Sequence, residues 1–368
     1  MNRRFWAVIP WLLALVIGSL TSPAGCRRQP EEKPSALGVS PSPAAAEPRL
    51  PPYARHLAGT RICLDPGHGG DAARANYKRG PSGLREAEVN LRVALFLRDL
   101  LEASGATVFM TRTTDTCLAN DDEEDLRLRA EVANRNDCDV LLSIHHNASD
   151  ERAEANFTSV WYHGQVDHSP ASLDVAREVA AALLEELPLP ERLGVPVLSD
   201  QLIYPRSGFR LLRLARVPAV LSEASFHTNR AEEQRLRDPD YNRREARALF
   251  IGLARYALGG VPRARLIEPA GGRVPASGSA RVVLELDDGL RSRKSWGWQR
   301  RMILKDSIAV RVGDGLWPFT YDEQSGRVSL YLPTTRQAGP LTLGVQFENL
   351  FKHSNTRPWL TLQVTGPG

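Results

Sequence analysis

The sequence predicts an α/β domain with a mostly parallel sheet flanked by helices, followed by a small all-β sandwich of immunoglobulin-like architecture. Two observations lead to this fold class. Between residues 60 and 258, short apolar runs alternate with segments of helical period, as expected of parallel strands whose connecting helices cover both faces of the sheet. From about Val261 the helical period disappears, and short alternating runs are separated by Gly, Pro and Asp.

Residues 1–26 have the pattern of a secretory signal. Arg3 and Arg4 precede an apolar run that ends near Leu20, and small residues then lead to Cys26. The run is shorter than a membrane-spanning helix requires, and Pro10 interrupts it. We therefore expect a secreted chain.

The end of this segment bears on how the chain is attached. Ala24-Gly25-Cys26 resembles the lipobox of bacterial lipoproteins, in which the cysteine is lipidated, although Pro23 stands where that pattern prefers an aliphatic residue. An ordinary signal peptide cleaved nearby is the alternative. The Pro- and Ala-rich residues 27–58 predict an extended linker.

The elements of the α/β domain (residues 59–260) follow in chain order. The first strand contains Ile62-Cys63-Leu64 and ends in a Pro-Gly turn before His68, and a helix with apolar residues at helical spacing ends at Gly105. Further strands are predicted at residues 106–112, 139–147, 158–164 and 217–226. Further helices are predicted at residues 126–136, 172–187 and 242–258.

Residues 261–368 predict the sandwich. Its strands are expected within five alternating segments, residues 280–289, 307–315, 327–333, 341–349 and 359–366. The composition gives no reason to expect nucleic-acid binding, because the net charge is only +4 and arginine is spread along the chain. Three cysteines follow Cys26; Cys63 is expected to be buried, and Cys117 and Cys138 could pair.

Three polar residues at strand and helix ends form a candidate metal site. His68 follows the first strand, His145 ends the apolar run "VLLSIH", and Glu86 lies before or within the first turn of the next helix. Parallel strands would bring both histidines to one edge of the sheet. Two imidazoles and one carboxylate suit a catalytic zinc site, although a cluster of hydrogen-bonded loop side chains is also compatible with this spacing.

Glu223 is a fourth candidate. It ends the apolar strand "VPAVLSE", where a carboxylate loses hydration unless a cation stabilises it. Beside a metal-activated water it would act as general base and then as general acid. An ion pair with a nearby arginine is the structural alternative.

Six ordered segments resemble the zinc-dependent N-acetylmuramoyl-L-alanine amidases, the family-three amidase catalytic domain. They are "LDPGHGG", "GLREAEVNL", "VFMTRTTD", "LRLRAEVAN", "DVLLSIHHNA" and "VPAVLSEASFHTN". The resemblance implies that His68, Glu86 and His145 bind zinc and that Glu223 is the catalytic glutamate. In the second segment the family's ligand precedes the Asn by four residues, which selects Glu86 rather than Glu88.

The chain departs from the family's usual pattern at His146, where a small residue is common, and at Ala224-Ser225, where glycines are common. His146 and His227 could alter the substrate cleft or be packed imidazoles. The amidase resemblance implies an enzyme of the cell envelope whose substrate is peptidoglycan. With the signal segment it predicts a location in the periplasm, and the lipobox resemblance implies contact with the membrane through a lipid on Cys26. A zinc carboxypeptidase-like peptidase and a catalytically inactive peptidoglycan-binding protein are the alternatives.

Some relatives carry a helix between the third zinc ligand and the catalytic Glu that blocks the cleft until an activator withdraws it. Here one long helical segment, residues 172–187, lies in that interval, and its apolar stripe suits packing on the sheet. We therefore expect that no protein activator is required.

Overall fold

The computed structural model describes residues 50–70, 78–165, 167–276, 278–333 and 338–365. The expected signal segment, Cys26 and most of the expected linker lie outside these residues. Within the last part of that linker, Pro52–Leu57 form a 3-10 helix whose Ala54 and Leu57 are buried. Among the described residues, no helix combines the length and apolarity that crossing a membrane requires.

A six-stranded sheet forms the centre of the first domain. Its strands are β1 (Arg61–Pro66), β2 (Thr107–Met110), β3 (Val140–Asn147), β4 (Ser159–Tyr162), β5 (Val197–Ser199) and β6 (Ala219–Phe226), in the order β2-β1-β3-β6-β4-β5. β2, β1, β3 and β6 are parallel, whereas β4 is antiparallel to β6 and parallel to β5. The prediction of a largely parallel sheet is confirmed.

Helices cover both faces of this sheet. They are α1 (Glu86–Ala103), α2 (Asp122–Arg135), α3 (Ala171–Glu186), α4 (Arg210–Leu214), α5 (Arg230–Arg237) and α6 (Pro239–Leu258). The buried side chains of α1, α3 and α6 share one core with Ile62 and Leu64 of β1. Those of α2 and α4 share the other core with Cys63. β1 and β3 contain apolar runs, Ile62-Cys63-Leu64 and Val140-Leu141-Leu142, because both faces of these strands are buried.

Local sequence explains where several helices begin. Asp121 caps α2 by accepting a hydrogen bond from the Glu124 N–H, and Asn229 caps α5 through the N–H groups of Ala231 and Glu232. Asp238 caps α6, whose first residue is Pro239. These caps satisfy N–H groups that have no partner within their own helix.

Residues 263–365 contain the all-β part of the chain. Its strands are β7 (Arg263–Glu268), β8 (Arg273–Pro275), β9 (Ser279–Asp287), β10 (Ala309–Val312), β11 (Gly315–Leu316), β12 (Thr320–Asp322), β13 (Arg327–Pro333), β14 (Gly339–Gln346) and β15 (Trp359–Thr365). They form a five-stranded sheet, β11-β10-β14-β15-β8, and a four-stranded sheet, β12-β13-β9-β7. One apolar core between the sheets includes Val282 and Leu343. This arrangement is the expected sandwich.

The sandwich packs against the edge of the first sheet at which the parallel strands begin. His353 stacks on Tyr256 near the end of α6, with 5.0 Å between ring centroids, and its Nδ1 lies 2.9 Å from the Gly260 carbonyl oxygen. Arg263 and Arg357 pair with Asp139 and Asp137, which precede β3. The two parts of the chain therefore share a polar and aromatic contact surface.

The described cysteines include two free thiols. Cys63 and Cys138 are both fully buried and unbridged. The burial expected of Cys63 is confirmed, and the pairing considered for Cys117 and Cys138 does not form.

Candidate metal centre

His68, Glu86 and His145 converge at the edge where the parallel strands end. His68 Nε2 lies 3.1 Å from Glu86 Oε2, and His145 Nδ1 lies 3.1 Å from Glu86 Oε1. One nitrogen or oxygen of each side chain lies within 4.8 Å of the other two. The two imidazoles remain partly exposed, at 17% and 16%, whereas the Glu86 side chain is 2% exposed. The exposed sides of the two imidazoles would leave a metal ion held here accessible to solvent.

The fold brings these residues together through adjacent elements. β1 and β3 are parallel neighbours with Pro66 opposite Ile144, so His68 and His145 lie just beyond this pair. The Gly67 N–H donates to the Ile144 carbonyl and extends the ladder by one hydrogen bond. Glu86 is the first residue of α1, where the helix dipole favours a carboxylate.

The turn that carries His68 has an uncommon backbone. His68 itself has a φ of 59°, and Gly69 and Gly70 have φ values of 122° and 64°. Only glycine adopts the region of Gly69 without strain. Gly67 is required for space, because a Cβ there would lie 2.2 Å from Cε1 and Nε2 of His145.

Two buried arginines hold this turn through its carbonyl groups. Arg112 donates to the carbonyl oxygens of Pro66 and Gly67 at 2.8 and 2.9 Å. Arg129 donates to those of Pro66 and His68 at 3.0 and 2.8 Å. Because charged donors form strong hydrogen bonds, Arg112 and Arg129 fix the position of His68.

Asp65 neutralises one of these arginines. Its carboxylate accepts from Arg129 at 2.9 Å, from the Thr111 hydroxyl at 2.6 Å and from the Ser143 hydroxyl at 2.7 Å. Burial by itself would raise the pKa of Asp65, but Arg129 and the two hydroxyls lower it to about 2. The turn before His68 is thus built on a fully hydrogen-bonded ion pair.

The protonation states at the centre suit metal binding. Burial lowers the pKa of His68 to about 4, against the opposing effect of Glu86. Burial would raise the pKa of Glu86, but His68 and the hydrogen bonds from both histidines hold it well below its usual range. A neutral imidazole and an ionised carboxylate are the forms that bind a metal.

Glu223 lies beside this group on β6. It is the register partner of His145 across the β3–β6 pair. Its Oε2 is buried without a hydrogen-bond partner among the described residues. Burial, and then the charge of Glu86, raises the pKa of Glu223 well above its usual range. The alternative of an ion pair between Glu223 and an arginine is not found among the described residues.

The two additional histidines are packed rather than lining the cleft. The His146 side chain is 0% exposed and its Nε2 lies 3.0 Å from Glu245 Oε2. His227 is also buried, and its Nδ1 lies 3.0 Å from the His146 carbonyl oxygen. The structure thus favours the packed-imidazole alternative for both.

Sequence reasoning did not assign roles to several residues that support the centre. They are Asp65, Asn90, Arg112, Arg129 and Glu245. Asn90 lies one helical turn after Glu86, and this spacing was an available signal. Arg112, Arg129 and Glu245 reach the centre from positions 46 to 99 residues away from their partners, so their pairing becomes evident only in the fold.

The family profile for Amidase_3, described as N-acetylmuramoyl-L-alanine amidase, matches residues 62–255. The germination-specific N-acetylmuramoyl-L-alanine amidase of Bacillus subtilis (strain 168) is 29% identical over 214 residues, which cover 56% of this chain and 83% of that protein. The N-acetylmuramoyl-L-alanine amidase LytC of the same organism is 29% identical over 200 residues, 54% of this chain and 36% of that protein.

A solved structure of the N-acetylmuramoyl-L-alanine amidase AmiC2 of Nostoc punctiforme is also similar. The two sequences are 26% identical, the superposition covers 54% of this chain and 98% of the AmiC2 chain, and the TM-score is 0.45.

Proposed function

The chain belongs to the Amidase_3 family of N-acetylmuramoyl-L-alanine amidases, and we propose that it is a zinc enzyme in which Glu223 transfers the proton. The chain is a hydrolase that acts on the amide bond between N-acetylmuramic acid and L-alanine in peptidoglycan. Because this substrate is the cell wall, the site of action is extracytoplasmic.

His68, Glu86 and His145 are the residues that would hold the metal. Two imidazoles, one carboxylate and an open side form the donor set of a catalytic zinc site. When bound, zinc supplies Lewis-acid activation of the scissile carbonyl group and of a water molecule. The low pKa of His68 supports this assignment, because the imidazole is already neutral at the pH at which it would bind.

Glu223 is the proposed general base and acid. The single observation that carries this role is its unpartnered, buried Oε2 next to the three candidate ligands. Burial raises the pKa of Glu223 and so makes its ionised carboxylate a stronger base. Glu223 would take the proton of the attacking water and deliver it to the nitrogen of L-alanine as the amide bond breaks.

The carboxypeptidase-like alternative needs an arginine to bind a free substrate carboxylate. Arg112, Arg129 and Arg85 lie beside His68 or Glu86 in chain or in space, and each has another role. Arg112 binds backbone carbonyls, Arg129 pairs with Asp65, and Arg85 pairs with Asp115. These contacts favour the amidase over that alternative.

We propose that the enzyme needs no protein activator. In the described interval between His145 and Glu223, α3 packs in the core and α4 is only five residues long, with Leu211 and Leu212 buried. Burial of their apolar residues supports a structural role for both helices. We expect the purified chain to act alone.

We also propose that the chain is divided into a catalytic domain and an accessory domain. Residues 59–260 would form the catalytic domain, which agrees with the family match to residues 62–255, and residues 261–368 would form an accessory sandwich that locates the enzyme. For residues 1–26 we propose a lipoprotein-type signal with the lipid on Cys26. Labelling cells with a fatty acid should mark the wild-type chain but not Cys26→Ser, and an unlabelled wild-type chain would refute the anchor.

Digestion of purified peptidoglycan by the purified, zinc-loaded chain tests the function. Mass spectrometry should detect stem peptides with a free L-alanine amino group and glycans with a free muramic acid carboxyl group. Glu223→Gln should not produce them. Cleavage within the stem peptide would instead indicate the peptidase, and an undigested wall would indicate an inactive binding protein or a missing activator.

A further inference from the structure

A chain of buried polar side chains lies behind Glu86, on the side away from the cleft. We call Asn90, His146 and Glu245 the His146 network. His146 Nε2 lies 3.0 Å from Glu245 Oε2, and His146 Nδ1 lies 2.9 Å from Asn90 Oδ1. Asn90 Nδ2 donates to Glu86 Oε1 at 3.2 Å. The network therefore runs from α6 through β3 to α1 and ends on a candidate metal ligand.

The acceptors around Asn90 fix the direction of these hydrogen bonds. Asn90 Nδ2 contacts both Glu86 Oε1 and the Gly67 carbonyl oxygen, and neither of these atoms can donate. The Asn90 oxygen must therefore face His146, and His146 Nδ1 must carry a hydrogen. A side chain in place of His146 that lacked this donor would leave the Asn90 oxygen without its hydrogen bond.

His146 also contacts Glu86 directly. Its backbone N–H donates to Glu86 Oε1 at 3.1 Å, so this one oxygen accepts from the His146 backbone and from the Asn90 amide. Glu86 Oε2 faces His68 Nε2 at 3.1 Å and lies 3.9 Å from His227 Nδ1. Two donors outside the candidate centre thus hold Oε1, while Oε1 also faces His145 Nδ1 and Oε2 faces His68 Nε2.

Glu245 anchors the far end of the network. Its side chain is 1% exposed, and it reaches His146 from the middle of α6. Without this carboxylate, His146 Nε2 would lose the side-chain partner that it has among the described residues. Buried polar groups that lose a partner move or take up water, and the movement would pass through Asn90 to Glu86.

We propose that Asn90, His146 and Glu245 are positioning residues that orient the carboxylate of Glu86 for the metal. This inference rests on the proposed function, because it requires that Glu86 bind the ion. Hydrogen bonds behind a metal ligand commonly change metal affinity by about 10- to 100-fold when they are removed. The His146 network would therefore contribute to metal affinity without touching the metal or the substrate.

Metal affinity of the full chain, measured by competition with a chelator for Zn²⁺, tests the proposal. Asn90→Asp keeps the shape and the acceptor for His146 but removes the donor to Glu86. Glu245→Ala removes the anchor, whereas Glu245→Gln keeps an acceptor for His146 Nε2. We expect about 10- to 100-fold weaker binding for Asn90→Asp and Glu245→Ala, and near wild-type binding for Glu245→Gln.

Glu232→Ala provides the matched control. Glu232 is a buried carboxylate on the neighbouring helix α5 whose contacts are to Asn156, Arg235 and Tyr241. Its removal should lower stability without changing metal affinity. Equal loss of affinity in Glu232→Ala and Glu245→Ala would overturn the proposal, because the effect would then be one of general stability. If Glu245→Ala does not fold, the comparison of Asn90→Asp with Glu245→Gln decides.

The absorption spectrum of bound Co²⁺ gives a second measurement that does not depend on activity. A reoriented Glu86 should change the ligand-field bands in Asn90→Asp but not in Glu232→Ala. Wild-type affinity and an unchanged spectrum in Asn90→Asp and Glu245→Ala would refute the positioning role alone. A wild-type chain that binds no metal, or a Glu86→Gln variant that binds it normally, would refute the metal centre and this inference together.

Discussion

Glu223 and His145 are register partners on the adjacent parallel strands β6 and β3. The backbone hydrogen bonds between these strands therefore set the separation of the proposed proton carrier from a candidate metal ligand. A substitution that changes only the chemistry of Glu223 should leave this framework unchanged.

Glu223→Gln should retain bound metal and the fold but lose at least about 10²-fold in kcat, the typical contribution of one general acid–base group. The amide cannot take a proton from water, although it fills nearly the same volume. Metal analysis, thermal unfolding and turnover of muropeptides would check this. Near-normal turnover in the folded, metal-loaded variant would remove Glu223 from the mechanism.

Substitution of a candidate ligand should remove the metal, whereas substitution of a neighbouring carboxylate should not. Glu86→Gln, His68→Ala and His145→Ala should each lose the metal, because two remaining ligands bind an ion poorly. Glu88→Gln is the matched control, since Glu88 lies on the same helix turn, is 49% exposed and pairs with Arg85. Measured metal content per chain should separate the two groups, and full occupancy in the ligand variants would contradict the assignment.

Gly67→Ala should weaken metal binding by steric means alone. The new Cβ would lie 2.2 Å from the His145 ring, so the imidazole must move. Gly194→Ala is the control, because no atom lies within 4 Å of the Cβ position there and its φ is not in the left-handed region. Chelator competition should show weaker binding only for Gly67→Ala; unchanged affinity would mean that the ring adjusts without cost.

Asp65 should make stability depend on pH in the acid range. Its pKa falls from 3.8 to about 2 on folding, so its contribution is present above pH 3.8 and is lost as the pH falls through about 2. The shift corresponds to about 2 kcal/mol of unfolding free energy. Urea unfolding between pH 5 and pH 2 should show a flatter dependence for Asp65→Asn.

Asp65→Asn should also be strongly destabilised at neutral pH, by about 3–5 kcal/mol, because it leaves Arg129 as a buried charge without its carboxylate partner. Glu124→Gln, which removes an exposed pair with Arg127, should change stability little. Parallel pH profiles for wild type and Asp65→Asn would contradict the role given to this ion pair.

Residues 50–260 alone should retain activity on soluble muropeptides but unfold at a lower temperature. The sandwich covers Tyr256 through His353, and the Ser354 N–H donates to Asp174 at 2.8 Å, so its removal exposes both surfaces. None of these contacts involves a candidate ligand. Calorimetry and turnover of the purified fragment would check this; a folded, metal-loaded but inactive fragment would show that the sandwich contributes to catalysis.

The sequence predicted the sheet because long apolar runs mark β1 and β3. These runs also drew attention to His68, two residues after β1, and to His145, within β3, but the spacing left a polar loop cluster as an alternative, and the family resemblance selected the ligands. β5 and α4, of three and five residues, are too short to show a hydrophobic period. The eight-residue helix α5 was also not predicted. Tertiary contacts determine such short segments.

The buried pairs of side chains that support the candidate metal centre were harder to predict, for a different reason. His146 and Glu245 are 99 positions apart, and Arg129 reaches Asp65 across 64 positions. A buried ion pair leaves no period in the sequence, and each member alone has the composition of a surface residue. The contacts between the sandwich and the first domain are unpredictable from the sequence for the same reason.

The position of the sandwich gives the molecule a polarity. The 3-10 helix at Pro52–Leu57 lies on the same side as the sandwich, since Arg291 donates to the Ala58 carbonyl and Ser292 lies 3.4 Å from His56. The 3-10 helix that precedes β1 and the sandwich are thus both at the end of the sheet opposite His68 and His145. An enzyme held in the envelope from either of them would present its metal centre outward, toward strands of wall that lie farther from the point of attachment.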